Sequence, residues 1–399
     1  MKKSLLIVSH ALELGGAERS LIGLLGVLDP EQWDIDLFLL RHEGELMEAI
    51  PEHVNLLPQS ASYSVLARPM RDTLREGHIL LTATRLAGKI SVGRYAKKHK
   101  HIESAVSLDY SHKFTCPLMP KIRPEKKYDL AISFLTPHYF VAKKVQAEKM
   151  IAWIHTDYTQ IQVDVASETA MWSAYDYIAS ISDAVTESFL KVFPSLEEKV
   201  ILIENILPEK LIREQAAEPI TDMVRSGEEK ILLSVGRFTH AKNFDNVPWI
   251  CKRILDSGLN VKWYLIGYGG DEALIRKNIA DAEMEDRVII LGKKTNPYPY
   301  IKACDLYVQP SRYEGKAVTV REAQMLGKPV VITRYETSSS QLEEGIDGVI
   351  VPMANDGCAW AIAALLHEPE KVKQLSDACR VRNYSNSDEV NKLYQLLED

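Results

Sequence analysis

The chain has 399 residues, which is more than one hydrophobic core usually serves, so two domains are expected. Its composition, 46% hydrophobic and 26% charged, is that of an ordinary soluble protein and excludes a disordered chain. The net charge of −7 disfavours nucleic-acid binding by the chain as a whole.

The cysteines and the apolar runs indicate the compartment. An odd number of widely spaced cysteines argues against a disulfide framework and against zinc-ligand pairs, and it predicts a reducing environment. The five are Cys116, Cys251, Cys304, Cys358 and Cys379. The apolar run near the N-terminus is shorter than the core of a signal peptide, and no other run is long enough to span a bilayer. A cytoplasmic protein is therefore expected.

Near-continuous apolar runs predict buried parallel strands in two series. The first series covers 5–8, 35–40, 129–135, 150–154 and 177–181. The second covers 200–203, 231–235, 261–266, 287–291, 305–308, 329–332 and 349–351, and its first run is expected to close the first sheet. Because parallel strands need right-handed crossovers through helices, the two series predict two doubly wound, Rossmann-like α/β domains.

The domain boundary is expected near 205–228, where two prolines and many charges interrupt the alternation of strands and helices. This places the first domain at 1–205 and the second at 206–383. The segment 384–399 predicts a final helix that packs back on the first domain. Ser385 or Ser387 is its candidate cap, and its apolar positions are Val390, Leu393, Leu396 and Leu397.

Residues 61–127 form a basic segment of the first domain. They contain 14 Lys and Arg against 5 Asp and Glu, so the rest of the chain carries a charge of about −16. Two interpretations fit equally well: amphipathic helices that lie on an anionic membrane, or solvated helices that cover the first sheet. The cations concerned are Arg68, Arg71, Arg75, Arg85, Lys89, Arg94, Lys97, Lys98 and Lys100, and the interleaved apolar residues are Leu66, Met70, Leu74, Leu81, Leu86 and Ile90.

Open α/β sheets bind ligands beyond the carboxyl ends of their strands, so the residues that follow each run are candidates. After the first strand, Gly15 and Gly16 precede a predicted helix, and they either let the backbone approach a phosphate or sugar or simply form a turn. His155 directly follows the run at 150–154. A histidine there is more often structural, but its predicted place at the sheet edge favours a function.

Two cations follow the run at 231–235 in the second domain. Arg237 comes directly after Gly236, and Lys242 stands five residues further on. Permanent cations at a strand end can hold the phosphates of a nucleoside diphosphate without a metal ion. Later strand ends supply residues that are either ligand contacts or turns, namely Gly267, Gly292 and Lys293.

Glu314 and Glu322 stand eight positions apart across a predicted junction of loop and helix. Helix-forming residues begin near Val318, so the N–H groups of Ala317, Val318 and Thr319 are expected to face a docked diphosphate. Glu314 would face the sugar beyond the phosphates. Glu322, about two turns along at ~3.6 residues per turn, could accept hydrogen bonds from ribose hydroxyls.

The motifs of the second domain occur in the order and spacing of a known family. GRF…K, the G-x-G-G turn, Leu-Gly, the Y-E-G…R-E-A segment and G-K-P-V-V resemble the nucleotide-sugar glycosyltransferases of the GT-B fold, specifically the retaining family four. The resemblance spans almost the whole chain. It implies two Rossmann-like domains facing an interdomain cleft, in a branch common among bacterial enzymes of capsule and other surface polysaccharide biosynthesis.

The resemblance implies a role for each matching residue of the second domain. Arg237 and Lys242 would bind the donor diphosphate. Glu322 would bind the ribose, and Glu314 would contact hydroxyls of the transferred sugar. The preferred route is a front-face one in which the leaving phosphate accepts the proton of the acceptor, while Glu314 only positions the sugar.

In the first domain, the resemblance implies that the loop at 15–16 approaches the donor phosphate and that His155 touches the donor sugar. The reaction implied is glycosyl transfer from a nucleoside diphosphate sugar, with UDP-sugars favoured, to a hydroxyl of a glycan or polyprenyl-linked acceptor. Family members usually need no metal ion, and the nucleotide sugar is a substrate, so no cofactor is expected. Such an acceptor is consistent with a peripheral position on the inner face of the cell membrane.

The chain departs from the family pattern at Lys316 and Ala317, where many relatives carry Phe-Gly or a similar pair. Backbone approach at residue 317 must therefore accommodate a methyl group. Two other classes stay open. A non-catalytic GT-B partner subunit would not need the intact cations and carboxylates, and a sugar-nucleotide epimerase or a phosphorylase of the same fold would not share the carboxylate spacing.

Overall fold

The computed structural model describes residues 2–99, 104–225 and 227–397, and it divides into two compact units. One unit consists of Met1–Ile206 together with Ser387–Asp399, and the other of Leu207–Asn386. Lys100 of the basic segment and the last two residues of the predicted C-terminal helix lie outside the described residues. Each unit is a doubly wound α/β structure around one parallel sheet.

The sheet of the first unit has seven parallel strands in the order β3-β2-β1-β4-β5-β6-β7. They are β1 (Lys3–Ser9), β2 (Trp33–Leu39), β3 (Val54–Leu56), β4 (Tyr128–Ser133), β5 (Ala147–Ile154), β6 (Tyr177–Ser180) and β7 (Val200–Leu202). The last strand closes this sheet, as predicted. The sequence analysis missed β3, because three residues with a single buried side chain make no apolar run.

The sheet of the second unit has six parallel strands in the order β10-β9-β8-β11-β12-β13. They are β8 (Lys230–Val235), β9 (Val261–Ile266), β10 (Val288–Gly292), β11 (Leu306–Gln309), β12 (Val330–Thr333) and β13 (Val349–Val351). In both sheets the strand order reverses once, between β1 and β4 in the first unit and between β8 and β11 in the second. Such a reversal opens a crevice at the carboxyl ends of the two strands.

Helices connect the strands in both units. Those of the first unit are α1 (Gly16–Val27), α2 (Ala61–Ser64), α3 (Met70–Arg75), α4 (Ile79–His99), α5 (Ser104–Thr115), α6 (Tyr139–Lys144), α7 (Val165–Trp172), α8 (Asp183–Val192) and the C-terminal α16 (Val390–Gln395). Those of the second unit are α9 (Glu209–Gln215), α10 (Val247–Asp256), α11 (Glu272–Asp281), α12 (Tyr298–Ala303), α13 (Val318–Met325), α14 (Asn355–Leu366) and α15 (Pro369–Val381). Across the described residues, no helix combines the length and the hydropathy that a membrane span requires.

The sheet of the second unit is covered on both faces. In β8, Ile231 and Leu233 belong to one core cluster and Leu232 to the other, as the alternation of side chains along a strand requires. In β9, Trp263 is fully buried, and its indole N–H donates to Ser234 Oγ at 2.9 Å. Because both faces are packed, the strands of this sheet are held in fixed positions.

The basic segment 61–127 lies in the long connection between β3 and β4 and contains α2 to α5. Its central helix, α4, packs along α5, and a Cβ at Gly88 would lie 3.1 Å from the carbonyl oxygen of Tyr110. The small residue therefore lets the two helices approach closely. Arg85 points inward and donates to the carbonyl oxygens of Val65 and Leu66, at 2.6 and 3.3 Å.

The C-terminal helix is shorter than the prediction of 384–399. A 3₁₀ turn spans Ser387–Glu389, and α16 begins only at Val390, with Glu389 rather than a serine at its N-cap position. The reason is local, because the backbone N–H and the hydroxyl of Ser385 both donate to Asn383 Oδ1, at 2.9 and 2.8 Å. Side-chain bonds of this kind compete with helix formation.

Helix α16 packs on the first unit. The ring centroids of Tyr394 and Trp33 are 5.5 Å apart, and the Tyr394 hydroxyl accepts from a backbone N–H, that of Asp29, at 3.2 Å. Lys392 donates to the carbonyl oxygen at position 202 at 2.8 Å, and Leu393 is fully buried. This C-terminal helix is thus part of the core of the first unit.

We expect Leu393→Ala to lower the free energy of unfolding of the first unit by about 2–5 kcal/mol, because the truncation leaves a cavity in a closed core. Thermal or urea denaturation measures the loss. Asn391→Ala, at an exposed position of the same helix, is the matched control and should change stability by less than about 0.5 kcal/mol. Equal losses in the two variants would contradict the assigned packing.

Candidate functional site

Lys242 and Glu314 form an ion pair in the second unit. Lys242 follows β8 and Glu314 follows β11, so the two side chains come from the neighbouring strands between which the strand order reverses. Both are largely buried, with side-chain exposures of 21% and 11%. A cation and a carboxylate that the sequence singled out separately are thus in contact at the switch point of the sheet.

Three donors converge on one oxygen of Glu314. Besides Lys242, Ser311 donates to Oε1 at 2.6 Å and the amide of Gln309 donates to the same atom at 3.3 Å. Gln309 is itself fixed, because its amide oxygen accepts from the hydroxyl of Tyr307 at 2.8 Å. A carboxylate offers about four acceptor positions, so capacity remains on the second oxygen for hydroxyl groups of a ligand.

A second ion pair ties together the loops that carry Lys242 and Glu314. The guanidinium group of Arg312 binds both oxygens of Asp245, at 2.9 and 2.8 Å, and also donates to the carbonyl oxygen of His240 at 2.7 Å. The planar, bidentate geometry fixes orientation as well as distance. The loop after β8 is therefore held in register with the loop after β11.

The glycines at the strand ends allow close backbone contact. The N–H of Gly236 donates to the carbonyl oxygen of Ile266 at 3.0 Å, and the N–H of Gly267 donates to that of Gly292 at 3.0 Å. A Cβ on Gly267 would lie 1.9 Å from the carbonyl oxygen of Gly236, so no side chain fits there. The ends of β8, β9 and β10 thus form one continuous edge.

Two cations that the sequence analysis proposed as ligand contacts are exposed at this edge. Arg237 follows the end of β8 closely, and Lys293 follows the end of β10, where its ammonium group lies 4.7 Å from the ring centroid of Tyr268. A cation over an aromatic face is attracted by the quadrupole of the ring. Both side chains are accessible to an anionic ligand.

Glu322 is completely buried on α13. Its Oε1 accepts from the hydroxyl of Tyr298, at the start of α12, at 3.0 Å. A buried carboxylate needs such donors, since desolvation without compensation is costly. The phenol therefore fixes the orientation of the carboxylate.

At the start of α13, fewer N–H groups are left for a phosphate than the sequence predicts. The N–H of Ala317 already donates to the side-chain oxygen of Gln341 at 2.6 Å, and the Gln341 amide donates back to the carbonyl oxygen of Ala317 at 3.2 Å. Among the described residues, no side chain caps α13, and its first turn holds no acidic residue. The N–H groups at the helix start that lie beyond this clamp are those of Val318 and Thr319.

The methyl group of Ala317 is accommodated in the core. Ala317 is 4% exposed and belongs to the same apolar cluster as Val320 and Val330. The departure from the family pattern at this position therefore adds a buried contact to the core of the second unit.

The glycine loop of the first unit leads into α1. A Cβ on Gly15 would lie 1.9 Å from Oε2 of Glu18, so the Glu18 carboxylate lies against this glycine. Glu18 is in the first turn of α1, where the helix dipole favours a negative charge. An anionic ligand that approaches Gly15 and Gly16 has to share this helix start with Glu18.

His155 is one of four histidines that lie near the carboxyl edge of the first sheet. His10 follows β1, His138 follows β4 and His155 follows β5, while His112 lies on α5. The ring centroids of His10 and His112 are 5.4 Å apart, and Nδ1 of His138 lies 2.8 Å from the hydroxyl of Ser133. We call the four residues the histidine cluster. They are not arranged as a metal site in the part of the chain that the structure describes.

Burial keeps the histidine cluster neutral. It lowers the pKa of His10 to about 4, with Arg41 as a secondary cause, and the pKa of His155 to about 3, although a hydrogen bond with the backbone at position 134 acts in the opposite direction. Burial and then the neighbouring imidazoles hold the pKa of His112 and of His138 well below the ordinary value. At neutral pH each ring can therefore donate one hydrogen bond and accept one, but it carries no charge.

The site residues predicted from the sequence fall into both units. His155 and the loop at 15–16 belong to the first unit, and all others belong to the second. The sequence analysis missed Gln309, Ser311 and Tyr298, which hold the two carboxylates. Gln309 and Ser311 follow the predicted run at 305–308, so attention to the residues after each strand could have found them. Nothing in the sequence singles out Tyr298.

Comparison with known proteins shows what the second unit is similar to. Residues 220–382 match the family model of the glycosyl transferases group 1. The match covers most of the second unit, Leu207–Asn386. The whole chain is similar to the solved structure of HepE from Anabaena in complex with UDP-glucose, with a TM-score of 0.67 and 14% identity over 99% of both chains. The predicted GT-B fold and the predicted resemblance to GT-B glycosyltransferases are thereby confirmed.

Two curated relatives show the range of similar proteins. The amylovoran biosynthesis glycosyltransferase AmsK of Erwinia amylovora is 31% identical over 143 residues, which is 34% of this chain and 34% of the relative. An N-acetylgalactosaminyltransferase of Campylobacter jejuni, named for a diphospho-undecaprenol acceptor, is 23% identical over 200 residues, which is 50% of this chain and 53% of the relative. The chain thus spans about a third to a half of the length of these relatives.

The histidine cluster predicts loss of stability in acid. Because the folded-state pKa of each histidine is depressed, unfolded chains bind protons below about pH 6.5 while the folded unit does not. The stabilisation is complete above about pH 6.5 and is lost as the pH falls towards about 4, by about 1.4 kcal/mol per pH unit for each histidine. Glu168, whose pKa burial raises to about 7, acts in the opposite direction over the same range.

His112→Leu should therefore reduce the slope of stability against pH between about 6.5 and 4.5, because it removes one of the protons that only the unfolded chain binds. Urea denaturation at several pH values measures this slope. Asn391→Leu, at an exposed position of the same unit that does not titrate, is the control and should leave the slope unchanged. Identical slopes in the two variants would refute this role of the cluster.

Proposed function

We propose that the protein is a retaining glycosyltransferase. It transfers a sugar from a nucleoside diphosphate sugar to a hydroxyl of a glycan or polyprenyl-linked acceptor in cell-surface polysaccharide biosynthesis. The proposed donor is a UDP-sugar. The observation that carries the proposal is the Lys242–Glu314 pair at the switch point of the sheet, inside a glycosyl transferases group 1 domain.

The similar proteins support the donor and acceptor classes. HepE is solved with UDP-glucose, AmsK is named for the biosynthesis of a polysaccharide, and the Campylobacter relative is named for a polyprenyl-linked acceptor. A polyprenyl-linked acceptor is confined to the membrane. We therefore propose that the protein works as a peripheral protein on the inner face of the cell membrane.

Stabilisation of the leaving group would supply most of the catalysis. As the bond between sugar and phosphate breaks, negative charge accumulates on the diphosphate. Arg237, Lys242 and the N–H groups of Val318 and Thr319 are the proposed donors that stabilise this charge, because two permanent cations and a helix start favour an anion without a metal ion. Lys242 is already oriented by Glu314, so little reorganisation is needed when the charge develops.

Glu314 is proposed to position the sugar rather than to attack it. Three donors, from Lys242, Ser311 and Gln309, hold its Oε1. These hydrogen bonds make Oε1 less nucleophilic, and the second oxygen is the one left to accept from hydroxyl groups of the sugar. This supports the front-face route, in which the acceptor hydroxyl attacks on the side of the leaving group and its proton passes to the departing phosphate, with retention of configuration.

Glu322 is proposed to bind the ribose of the donor. A carboxylate only accepts hydrogen bonds, which suits the two hydroxyls of a ribose. Tyr298 already fixes its orientation, so the acceptor positions are set before the nucleotide binds. In the first unit, the loop at 15–16 and the neutral imidazole of His155 stay the proposed substrate contacts.

Incubation with a panel of UDP-, GDP- and dTDP-sugars tests the function, because slow hydrolysis of the matching donor releases the nucleoside diphosphate. Arg237→Ala and Lys242→Ala should each lower this rate by about a hundredfold or more, since loss of one such donor costs ~3 kcal/mol. Lys277→Ala, an exposed cation on α11, is the control and should leave the rate unchanged.

The same panel separates the alternatives. A non-catalytic partner subunit would release no nucleotide from any donor. A sugar-nucleotide epimerase would change the sugar of a donor while the donor stays intact. Normal rates in Arg237→Ala and Lys242→Ala would contradict the assignment of these two residues to the diphosphate, whichever donor is used.

Tyr298→Phe should weaken the affinity for UDP by about tenfold, because it removes a hydrogen bond to a buried carboxylate, worth roughly 1.5 kcal/mol, and lets Glu322 reorient. Isothermal titration calorimetry measures the dissociation constant. Tyr300→Phe is a close control, since this phenol lies on the same helix but donates to Asp222, at 2.7 Å. Equal effects of the two substitutions would argue against Glu322 as the ribose contact.

A further inference from the structure

Helix α4 of the first unit carries an exposed stripe of large apolar side chains. Ile79 is 64% exposed, Leu80 70%, Leu86 50% and Ile90 50%. On the neighbouring α3, Leu74 is also 50% exposed. Single exposed leucines are common on protein surfaces, but a contiguous row of this kind marks a surface that binds something.

The exposed apolar side chains do not take part in the packing of α4 on its own unit. The opposite face of α4 is the packed one, with Leu81, Gly88 and Val92 buried. Gly88 brings α4 against the backbone of α5, and Arg85 is held by two carbonyl oxygens on the inner side. The exposed apolar residues at 79–90 therefore lie on the side of the helix that points away from its own unit.

Two cations lie on the same side of α4, beyond the exposed apolar side chains. Residues 79, 83, 86, 90, 94 and 97 recur at three- and four-residue intervals, so they share one side of a helix with 3.6 residues per turn. The first four are apolar, and the last two are Arg94 and Lys97. The row from Ile79 to Ile90 spans about 16 Å at a rise of ~1.5 Å per residue.

The surroundings of the stripe are strongly basic. Within 68–99 there are 8 Lys and Arg against 2 Asp and Glu, in a chain whose net charge is −7. One of the two acids, Glu76, is paired with Arg68. The exposed cations besides Arg94 and Lys97 are Arg71, Arg75, Lys89 and Lys98.

We propose that this surface, the α4 face formed by Ile79, Leu80, Leu86 and Ile90 with Arg94 and Lys97, binds the surface of an anionic phospholipid bilayer. The apolar side chains enter the boundary of headgroups and acyl chains, and the cations bind lipid phosphates. Charge complementarity favours a bilayer over a second copy of this chain, because two copies would bring two basic faces together. The proposal does not depend on which donor sugar is used, but it explains how a soluble donor site would meet a lipid-linked acceptor.

Flotation with vesicles tests the proposal. The full-length protein should float with vesicles of phosphatidylcholine that contain 30% phosphatidylglycerol and should remain at the bottom with phosphatidylcholine alone. Raising the NaCl concentration to about 0.5 M should weaken the binding, because salt screens the electrostatic part.

Two double variants separate the apolar and the charged contributions. Leu86→Ser with Ile90→Ser, and Arg94→Glu with Lys97→Glu, should each lower the vesicle partition coefficient by about tenfold or more. The matched controls lie at exposed positions of the second unit. They are Leu274→Ser with Trp360→Ser for the apolar pair and Lys371→Glu with Lys373→Glu for the charged pair, and they should bind vesicles like the wild type.

Each outcome bears on the proposal. Absence of wild-type binding to the anionic vesicles, or equal binding by the α4 variants and their controls, would overturn it. So would a wild-type oligomer in solution that the Leu86 and Ile90 substitutions dissociate while vesicle binding is unaffected, because the face would then be a contact between protein copies. UDP affinity should be unchanged in all variants, so failure of the membrane proposal and failure of the proposed function are distinguishable.

Discussion

The contact between Lys242 and Glu314 is the interaction on which the candidate site of the second unit depends. It joins the loops that follow two neighbouring strands, and the Arg312–Asp245 pair fixes the same two loops a second time. Removing one partner of a largely buried pair leaves a charge without compensation, which costs several kcal/mol. The pair therefore has a structural as well as a chemical role, and the loop positions around it follow from it.

The two units share one topology but place different kinds of polar residue at the switch point of the sheet. Each sheet reverses its strand order once, and polar residues gather at that point in both. In the second unit these residues are ions and backbone N–H groups, which suit a diphosphate. In the first unit they are neutral imidazoles such as His10 and His138, which suit hydroxyl groups because each can donate and accept. The difference arises from burial, since the histidines are kept uncharged by their surroundings.

Residue type and position along the chain predicted the fold class and several site residues. Buried strands produce apolar runs, and residues directly after them, such as Gly236 and Arg237, could be singled out by that rule alone. Glu314 was singled out by its spacing from Glu322 across a predicted junction of loop and helix. The contact of Lys242 with Glu314 could not, because the partners are 72 residues apart and meet only through the register of the sheet. The predicted start of the C-terminal helix was wrong because Ser385 bonds locally to Asn383 instead of capping the helix. Strand β3 was missed because its three residues form no apolar run.

The double hydrogen bond between Gln341 and the backbone of Ala317 has a consequence for ligand recognition. A loop that is free before binding loses conformational entropy when a ligand orders it, and that loss weakens the affinity. Here the residues that enter α13 are already immobilised by a side chain from a distant loop, so the entropy is lost during folding instead. The start of α13 is thus ordered before any ligand arrives, and a ligand that docked there would cause little further loss of conformational entropy in this segment.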